Sequence, residues 1–235
     1  MRRGVIINLY WRALFSVAID WILNHMSTTP GIKVGARQFT DLVYADDTTF
    51  FVPSALDAAE CLSSFNSSSS VLGMRVSWAK TKLQNIGSGV HGHPSNITVD
   101  GNTVEQVDNF IYLGSTQSSN GGSQADIMRR IALASSVMCS LQQVWKDRYL
   151  SLPTKIRVYE MLVLPVLLYA CETWTILAAD ERRLEAFHMK CQRQITNICW
   201  QDRIRNSEVA ARTGLGPMSD LITRRQNSVF GHIAS

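Results

Sequence analysis

Apolar and polar positions alternate with two different periods along the first part of the chain. Residues 11–26 place apolar side chains at helical spacing, and Pro30 ends the predicted helix because proline disfavours its continuation. Residues 38–53 instead hold two short runs of β-forming residues around a pair of acids, which predicts strand, turn and strand. A second helix is predicted over 55–72, with Ser54 as its N-cap.

The pattern shifts once more in the second half. A hairpin is predicted over 97–104, where an Asp-Gly pair tolerates the turn, and a strand over 110–114. A run of serine, asparagine and glycine at 118–123 marks a boundary. Helices are predicted after it at about 123–147, 153–177, 180–199 with Asp180 as its cap, 206–213 and 217–230. We therefore predict an α+β chain, with an antiparallel sheet and helices over 1–118 and an all-helical region over 119–235.

Composition supports a folded chain and leaves its partners open. Apolar residues make up 46% of the sequence and charged residues 18%, which is enough for real cores. The net charge of +4 permits contact with phosphates without requiring it. The six tryptophans are expected to be largely buried packing residues rather than stacking platforms.

The same residues bear on location. Five widely spaced cysteines with no Cys-x-x-Cys pair indicate reduced thiols of an intracellular protein. The most apolar run, 161–169, is interrupted by Pro165 and is shorter than the roughly 20 residues that a membrane helix needs. We see no signal peptide. The chain is therefore expected inside the cell, in nucleus or cytoplasm, with no membrane association and no secretion; the oligomeric state stays open.

Asp46 and Asp47 lie side by side between the two predicted strands of 38–53. Two adjacent carboxylates repel each other, and a divalent cation between them would relieve that repulsion. Mg²⁺ prefers carboxylate oxygens, and pairs of such ions catalyse phosphoryl transfer. Such a site needs carboxylates from more than one strand. Taken alone, an Asp-Asp pair is more typical of a solvated turn.

The segment Leu42–Asp47 resembles motif C of reverse transcriptases, and further segments resemble motifs of the non-LTR (LINE-type) retrotransposon enzymes in the same order. These are Leu14–Leu23 for the helix after motif B, Leu72–Ser77 with Lys80–Lys82 for motif D, Phe110–Ser115 for the primer grip, and Arg157–Tyr159, Val163–Tyr169, Glu172–Trp174, Phe187–Cys191, Trp200–Asn206, Arg224–Gln226 and Gly231–Ile233 for the thumb region. The resemblance implies a C-terminal fragment of an RNA-directed DNA polymerase: part of the palm followed by the helical thumb.

The resemblance also implies catalytic roles. Asp46 would be the first metal ligand, with Asp47 beside it as the second ligand or as local electrostatic support, and the ion would be Mg²⁺ or alternatively Mn²⁺. Lys80 would protonate the leaving pyrophosphate, a role that suits a cation because charge develops on the departing oxygen. Lys82 is close enough in sequence to be mistaken for it. The alternative for either lysine is a solvated strand edge.

The implied partners are an RNA template, a DNA primer and, in the intact enzyme, deoxynucleotides. Tyr44 would lie near the primer terminus or else pack on the palm, and Tyr112 and Gly114 would belong to the strand that holds the primer. Basic residues of the helical region that could face the template and primer are Lys146, Arg148, Lys155, Arg157, Arg182, Arg183, Lys190 and Arg193.

Parts of the family pattern are absent from the chain. Too few residues precede the helix after motif B to hold the motif A strand with its aspartate, and no fingers precede it. We therefore expect this fragment not to polymerise DNA by itself, because alignment of the reactants supplies much of the rate in phosphoryl transfer. Two alternatives stay open: a non-catalytic nucleic-acid-binding module, and a retroelement remnant without function.

Overall fold

The computed structural model describes residues 4–28, 31–86 and 96–234 of the chain. It confirms the α+β class and divides into two compact units, Met1–Val107 and Asp108–Ser235. The division falls before the predicted boundary after residue 118, because the hairpin over 109–118 is bonded to the helices that follow it. Within the described part, no helix combines the length and the apolar character needed to cross a membrane.

Two helices pack on each other in the first unit, α1 (Gly4–Asn24) and α2 (Ala55–Val71). Ser54 caps α2 as predicted, since its hydroxyl accepts a hydrogen bond from the backbone nitrogen of Asp57 at 3.2 Å. The backbone nitrogen of Ser27 donates to the hydroxyl of Ser64 on α2 at 2.8 Å. The buried apolar residues described in this unit are Ile19, Ile22, Ala58, Cys61, Val99 and Val104.

The strands of the first unit form three separate sheets rather than one. They are β1 (Ile32–Val34), β2 (Arg37–Phe39), β3 (Asp41–Tyr44), β4 (Asp47–Phe50), β5 (Lys82–Leu83), β6 (Ile97–Val99) and β7 (Asn102–Gln106). Antiparallel pairs β1–β2 and β3–β4 stand by themselves, while β7 pairs with antiparallel β6 and with parallel β5. The predicted hairpin of 97–104 is confirmed, with Asp100 and Gly101 at φ of 50° and 79°.

The second unit opens with a hairpin of β8 (Asn109–Tyr112) and β9 (Ser115–Ser118), and helices make up the rest. The helices are α3 (Gln124–Ser140), α4 (Gln142–Lys146), α5 (Leu152–Val158), a π-helical turn Tyr159–Val163, α6 (Leu164–Leu167), a 3₁₀ turn Cys171–Thr173, α7 (Ala178–Thr196), a 3₁₀ turn Trp200–Asp202, α8 (Asn206–Thr213) and α9 (Met218–Ala234).

Three helix predictions are corrected here. The helix expected over 123–147 is two helices that meet at Leu141. The helix expected over 153–177 ends at Leu167, after a wide π turn just ahead of Pro165, which has no N–H for the regular ladder. Asp180 is not a cap; α7 starts earlier, and the buried Asp180 lies in its first turn, 2.8 Å from Arg183.

One hydrophobic cluster holds these helices together. Its buried members come from α3, α4, the π-helical turn, α6, α7 and α9, with α5 packed against them by partly buried side chains, and include Trp145, Tyr159, Leu167, Leu184 and Met218, none more than 1% exposed. Apolar burial of this extent is the main favourable contribution to folding. The second unit therefore has a continuous core of its own.

Candidate functional site

The acid pair lies at the tip of the β3–β4 hairpin, so the predicted strand, turn and strand are confirmed. Tyr44 pairs with Asp47 across the ladder, and Ala45 with Asp46 forms the two-residue connection. Ala45 has a φ of 55°, in the left-handed region that costs an alanine about 1–2 kcal/mol. The turn therefore places Asp46 outside the ladder and Asp47 at its first rung.

The faces and edges of this hairpin are largely open. The exposed fractions of Leu42, Val43 and Tyr44 are 48%, 40% and 62%, and both aspartates are exposed. Tyr44 is therefore not a buried packing residue of this unit, the second of the two roles expected for it. Within the described chain no third strand joins β3–β4, so each strand keeps an unpaired edge.

The hairpin offers a metal ion only part of a coordination shell. Asp46 and Asp47 are adjacent, whereas Asp41 starts β3 at the opposite end, where it pairs with Phe50. No set of three or more histidine, cysteine, aspartate or glutamate side chains is grouped to hold an ion, as far as the described residues go. Mg²⁺ requires near-octahedral oxygen coordination, so beside two carboxylates from one hairpin the remaining positions would have to be filled by water, substrate phosphates or further ligands.

The two lysines near motif D have different surroundings. Lys82 lies in β5, and its ammonium is 2.7 Å from the carboxylate of Glu105. Lys80 lies in the turn before β5, where its backbone nitrogen donates to the carbonyl of Ser77 at 2.9 Å. The exposed side chain of Lys80 makes no ion pair with a described residue. The ammonium of Lys82 is therefore paired with an acid of the sheet, whereas the side chain of Lys80 is exposed to solvent.

Tyr112 ends β8, and Gly114 is the second residue of the two-residue turn of the β8–β9 hairpin in the second unit. Leu113 and Gly114 have φ of 47° and 79°, as a tight two-residue turn requires. The carbonyl of Gly114 accepts hydrogen bonds from Arg129, at 2.9 Å, and from Arg130. The carbonyl of Leu113 accepts one from Tyr169 at 2.7 Å. The turn carbonyls are thus occupied by bonds to the helices, and the half-buried Tyr112 lies beside them.

Sequence reasoning missed a buried ionic cluster on α3. The carboxylate of Asp126, 1% exposed, accepts from the backbone nitrogen of Thr116 at 2.8 Å and from the indole of Trp174 at 3.0 Å. Arg130 lies 3.7 Å away and over the ring of Tyr169. Burial lowers the pKa of Arg130, while the charge of Asp126 opposes that shift. The i,i+4 spacing signals the pair, but Trp174 lies too far along the chain to be foreseen.

A second buried polar group joins three segments of the second unit. His188 is fully buried; its Nδ1 is 2.8 Å from the hydroxyl of Tyr159, and its Nε2 is 3.2 Å from the carbonyl of Gly216. Burial lowers the pKa of His188 and raises the pKa values of Tyr159 and Cys191, the latter to about 12. Burial thus favours the neutral form of each group: the deprotonated imidazole of His188 and the protonated phenol and thiol of Tyr159 and Cys191.

The candidate template-facing cations divide into exposed and occupied side chains. Lys155 is wrong as a candidate, because it is 5% exposed and its ammonium donates to the carbonyl of Trp145 at 2.8 Å. Arg193 donates to the carbonyl of Ile204, and Arg183 pairs with Asp180. The candidates that stay exposed without an ion pair to a described residue are Lys146, Arg148, Arg157, Arg182 and Lys190.

Trp200 is a further correction to the sequence analysis. Trp145 and Trp174 are buried as expected, but Trp200 is 82% exposed. The sequence did not reveal this exposure, because residues 199–206 show no helical or strand periodicity from which a buried face could be assigned.

Comparison with known proteins gives one similarity. A protein of Caenorhabditis elegans described as uncharacterized and transposon-derived is 24% identical to this chain over 212 residues, covering 86% of this chain and 74% of the relative. This similarity supports a transposon origin. No protein-family model matches the chain. No solved structure matches it either.

Proposed function

We propose that the chain is a fragment of the RNA-directed DNA polymerase of a non-LTR retrotransposon, and that it does not polymerise DNA alone. The observation that carries the proposal is the β3–β4 hairpin, with Asp46 in its turn and Asp47 opposite Tyr44. This arrangement agrees with the motif C resemblance, and the transposon-derived relative agrees with the origin.

The inactivity follows from what surrounds that hairpin. Asp46 and Asp47 are exposed at the tip of an isolated pair of strands. A phosphoryl-transfer site needs its ligands held within about half an ångström by a rigid surround. With no third carboxylate grouped beside them in the described chain, two metal ions would be under-coordinated.

The test is primer extension on an RNA template with deoxynucleotides and either Mg²⁺ or Mn²⁺. We expect no incorporation by the chain, and none by Asp46→Asn. Asp20→Asn, which changes an exposed aspartate on α1, is the matched control. If the chain and the Asp20→Asn control both incorporate deoxynucleotides and Asp46→Asn does not, the chain is an active polymerase. That result would contradict the proposal that it does not polymerise DNA alone.

The first half is tested by the coding sequence upstream of Met1. An open frame there that encodes polymerase fingers and a further palm aspartate would make this chain the tail of a complete enzyme. Extension by the joined protein that requires Asp46 would then be expected. If the joined protein still extends the primer after Asp46→Asn and Asp47→Asn, the proposed role of the hairpin is refuted.

A non-catalytic nucleic-acid-binding module is the second candidate, and the unpaired cations of the second unit favour it. Lys146, Arg148, Arg157, Arg182 and Lys190 are exposed and unneutralised by any described acid, and each phosphate contact adds salt-dependent affinity. This candidate predicts salt-sensitive binding to a primer–template that survives the double change Asp46→Asn with Asp47→Asn. Binding lost in that double variant would rule the candidate out.

A further inference from the structure

An open groove runs along one face of α7 where that helix meets α8 in the second unit. Its lining combines apolar side chains with two cations and two amides, and none of the lining residues is acidic. The lining residues are Ala186, Met189, Lys190, Arg193, Gln194, Ile198 and Asn206. The groove is distant in sequence from the carboxylate hairpin and uses none of its residues.

The two cations of the groove differ in freedom. One terminal nitrogen of Arg193 donates to the carbonyl of Ile204 at 2.6 Å and to the amide oxygen of Asn206 at 2.9 Å. That guanidinium is therefore held in place, and it keeps its positive charge because arginine stays protonated in proteins. Lys190 is exposed and makes no ion pair with any described residue. A hydrogen-bonded guanidinium next to an exposed ammonium without an ion pair suits a ligand with several negative charges.

Positive charge continues along the segment that borders the groove. Arg203 and Arg205 are both exposed and have no ion-pair partner in the described chain. The acid of this segment, Asp202, is partly engaged, since its carboxylate accepts a hydrogen bond from the backbone nitrogen of Cys199 at 2.7 Å. The positive charges of this segment therefore outnumber its negative charge, which favours an anionic partner.

Trp200 is an exposed aromatic residue in the same short segment as Arg203 and Arg205. It follows Ile198, a lining residue, by two positions, so the two Cα atoms are at most about 7.6 Å apart. Its indole is 82% exposed, in contrast with the buried Trp145 and Trp174. Nucleic-acid bases stack on such aromatic side chains, provided that the bases are not already paired and stacked in a duplex.

We propose that this groove binds a single-stranded polynucleotide, with Trp200 stacking on an unpaired base and with Lys190 and Arg205 contacting phosphates. The combination of cations, amides and one bare indole is the chemistry that recognises unpaired nucleotides. The proposal deepens the nucleic-acid-binding candidate and rests on it, but not on any polymerase activity. RNA and DNA share this chemistry, so both are tested.

The stacking residue is tested with the full chain by fluorescence anisotropy. The probes are labelled, mixed-sequence single strands of RNA and of DNA, each of about 16 nucleotides, the upper range for a single-strand groove. Trp200→Ala is expected to weaken binding about tenfold, the typical loss for one stacked base. Tyr149→Ala is the matched control, because Tyr149 is 99% exposed and does not line the groove.

The phosphate contacts are tested by reversing charge in the same assay. Lys190→Glu and Arg205→Glu should each weaken binding and reduce the slope of log affinity against log salt by about 0.7 per lost contact. Arg75→Glu, an exposed arginine of the first unit, is the control for the same change in net charge. Because all of these side chains are exposed, thermal melts of the variants should match the unmodified chain.

The outcomes distinguish the proposed groove from the more general candidate, a nucleic-acid-binding module that binds elsewhere on the chain. If the unmodified chain binds but Trp200→Ala and both charge reversals bind as tightly, the groove is refuted and nucleic-acid binding stands. If no strand binds at low salt, both are refuted. Equal competition by a duplex, or equal loss in Tyr149→Ala, would also overturn the single-strand site. A preference between the RNA and DNA probes decides which polynucleotide it takes.

Discussion

The two units of the chain hold their candidate site residues with different amounts of packing. In the first unit, the carboxylate hairpin exposes Leu42, Val43 and Tyr44, and the unit's buried apolar residues lie on other elements. In the second unit, the buried side chains of Asp126 and His188 are hydrogen-bonded to Trp174 and Tyr159, which belong to the hydrophobic cluster. A two-stranded hairpin is marginally stable by itself, and β3–β4 packs on α2 through the edge contact of Phe50 with Phe65, 5.2 Å between ring centroids. The acid pair of the motif C resemblance therefore lies on the less packed of these two regions, whereas the segments that resemble the thumb include core residues such as Leu167 and Cys191.

The largest expected effect compares one leucine from each unit. Leu184→Ala removes a fully buried side chain from the second unit, and we expect it to lower the free energy of unfolding by about 2–5 kcal/mol. Leu42→Ala makes the same chemical change on a side chain that is 48% exposed in the hairpin, so the loss should stay below about 1 kcal/mol. Urea denaturation followed by circular dichroism measures both.

Equal losses in the two leucine variants would contradict the comparison. That result would mean that Leu42 is covered in solution, by a second copy or by a strand added to β3–β4. A chain that melts without any cooperative transition would instead support the remnant without function. The continuous core of the second unit leads us to expect a cooperative transition.

The second prediction uses pH to probe the packed unit alone. Burial lowers the pKa of His188 in the folded chain. Above the ordinary histidine pKa of about 6.5, the ring is neutral in both states and full stability is present. As the pH falls through that value, the unfolded chain takes up a proton that the buried ring resists. The free energy of unfolding should then fall, by at most about 1.4 kcal/mol per pH unit for this group.

His188→Gln isolates that contribution, since its amide can still hydrogen-bond to Tyr159 or to Gly216. The variant is expected to be less stable at pH 7.5 and to lose less stability between pH 7.5 and 5.5 than the unmodified chain. Glu185, which faces the same ring, opposes the lowered pKa of His188 and stays in place in both proteins. An unchanged pH slope in the variant would show that His188 does not titrate differently on folding.

How much the sequence revealed depended on whether the signal was local. Ser54 and the Asp100–Gly101 turn were predicted correctly, because caps and tight turns are decided by adjacent residues. The β3–β4 hairpin was also found, since strands and turn lie within ten residues. Whether this hairpin is the metal-binding motif of a polymerase stays a prediction.

Features that depend on distant residues were missed. The indole of Trp174 bonds to Asp126 across 48 positions, and Tyr169 bonds to Leu113 across 56. Sequence periodicity cannot reveal such partners. These bonds also explain why the β8–β9 hairpin belongs with the helices, whereas the pattern of strands alone grouped it with the sheet region. Exposure of Trp200 and burial of Lys155 were hidden for the same reason.

The smallest expected effects come from exchanging the turn residues of the two hairpins. Gly114, at φ of 79°, would place an added Cβ 3.6 Å from Tyr169, an ordinary contact, so Gly114→Ala should cost about 1–2 kcal/mol from backbone strain alone. Ala45→Gly relieves strain at φ of 55° but adds freedom to the unfolded chain, so its net gain in stability should be about 0.5 kcal/mol.

Hydrogen exchange of the hairpin amides measures both changes locally. Because β3–β4 unfolds more easily than the packed unit, the gain at Ala45 should protect the amides of β4 and leave those of α3 and α7 unchanged. Protection that spread to α7 would show the two units unfolding as one and would remove the contrast between them.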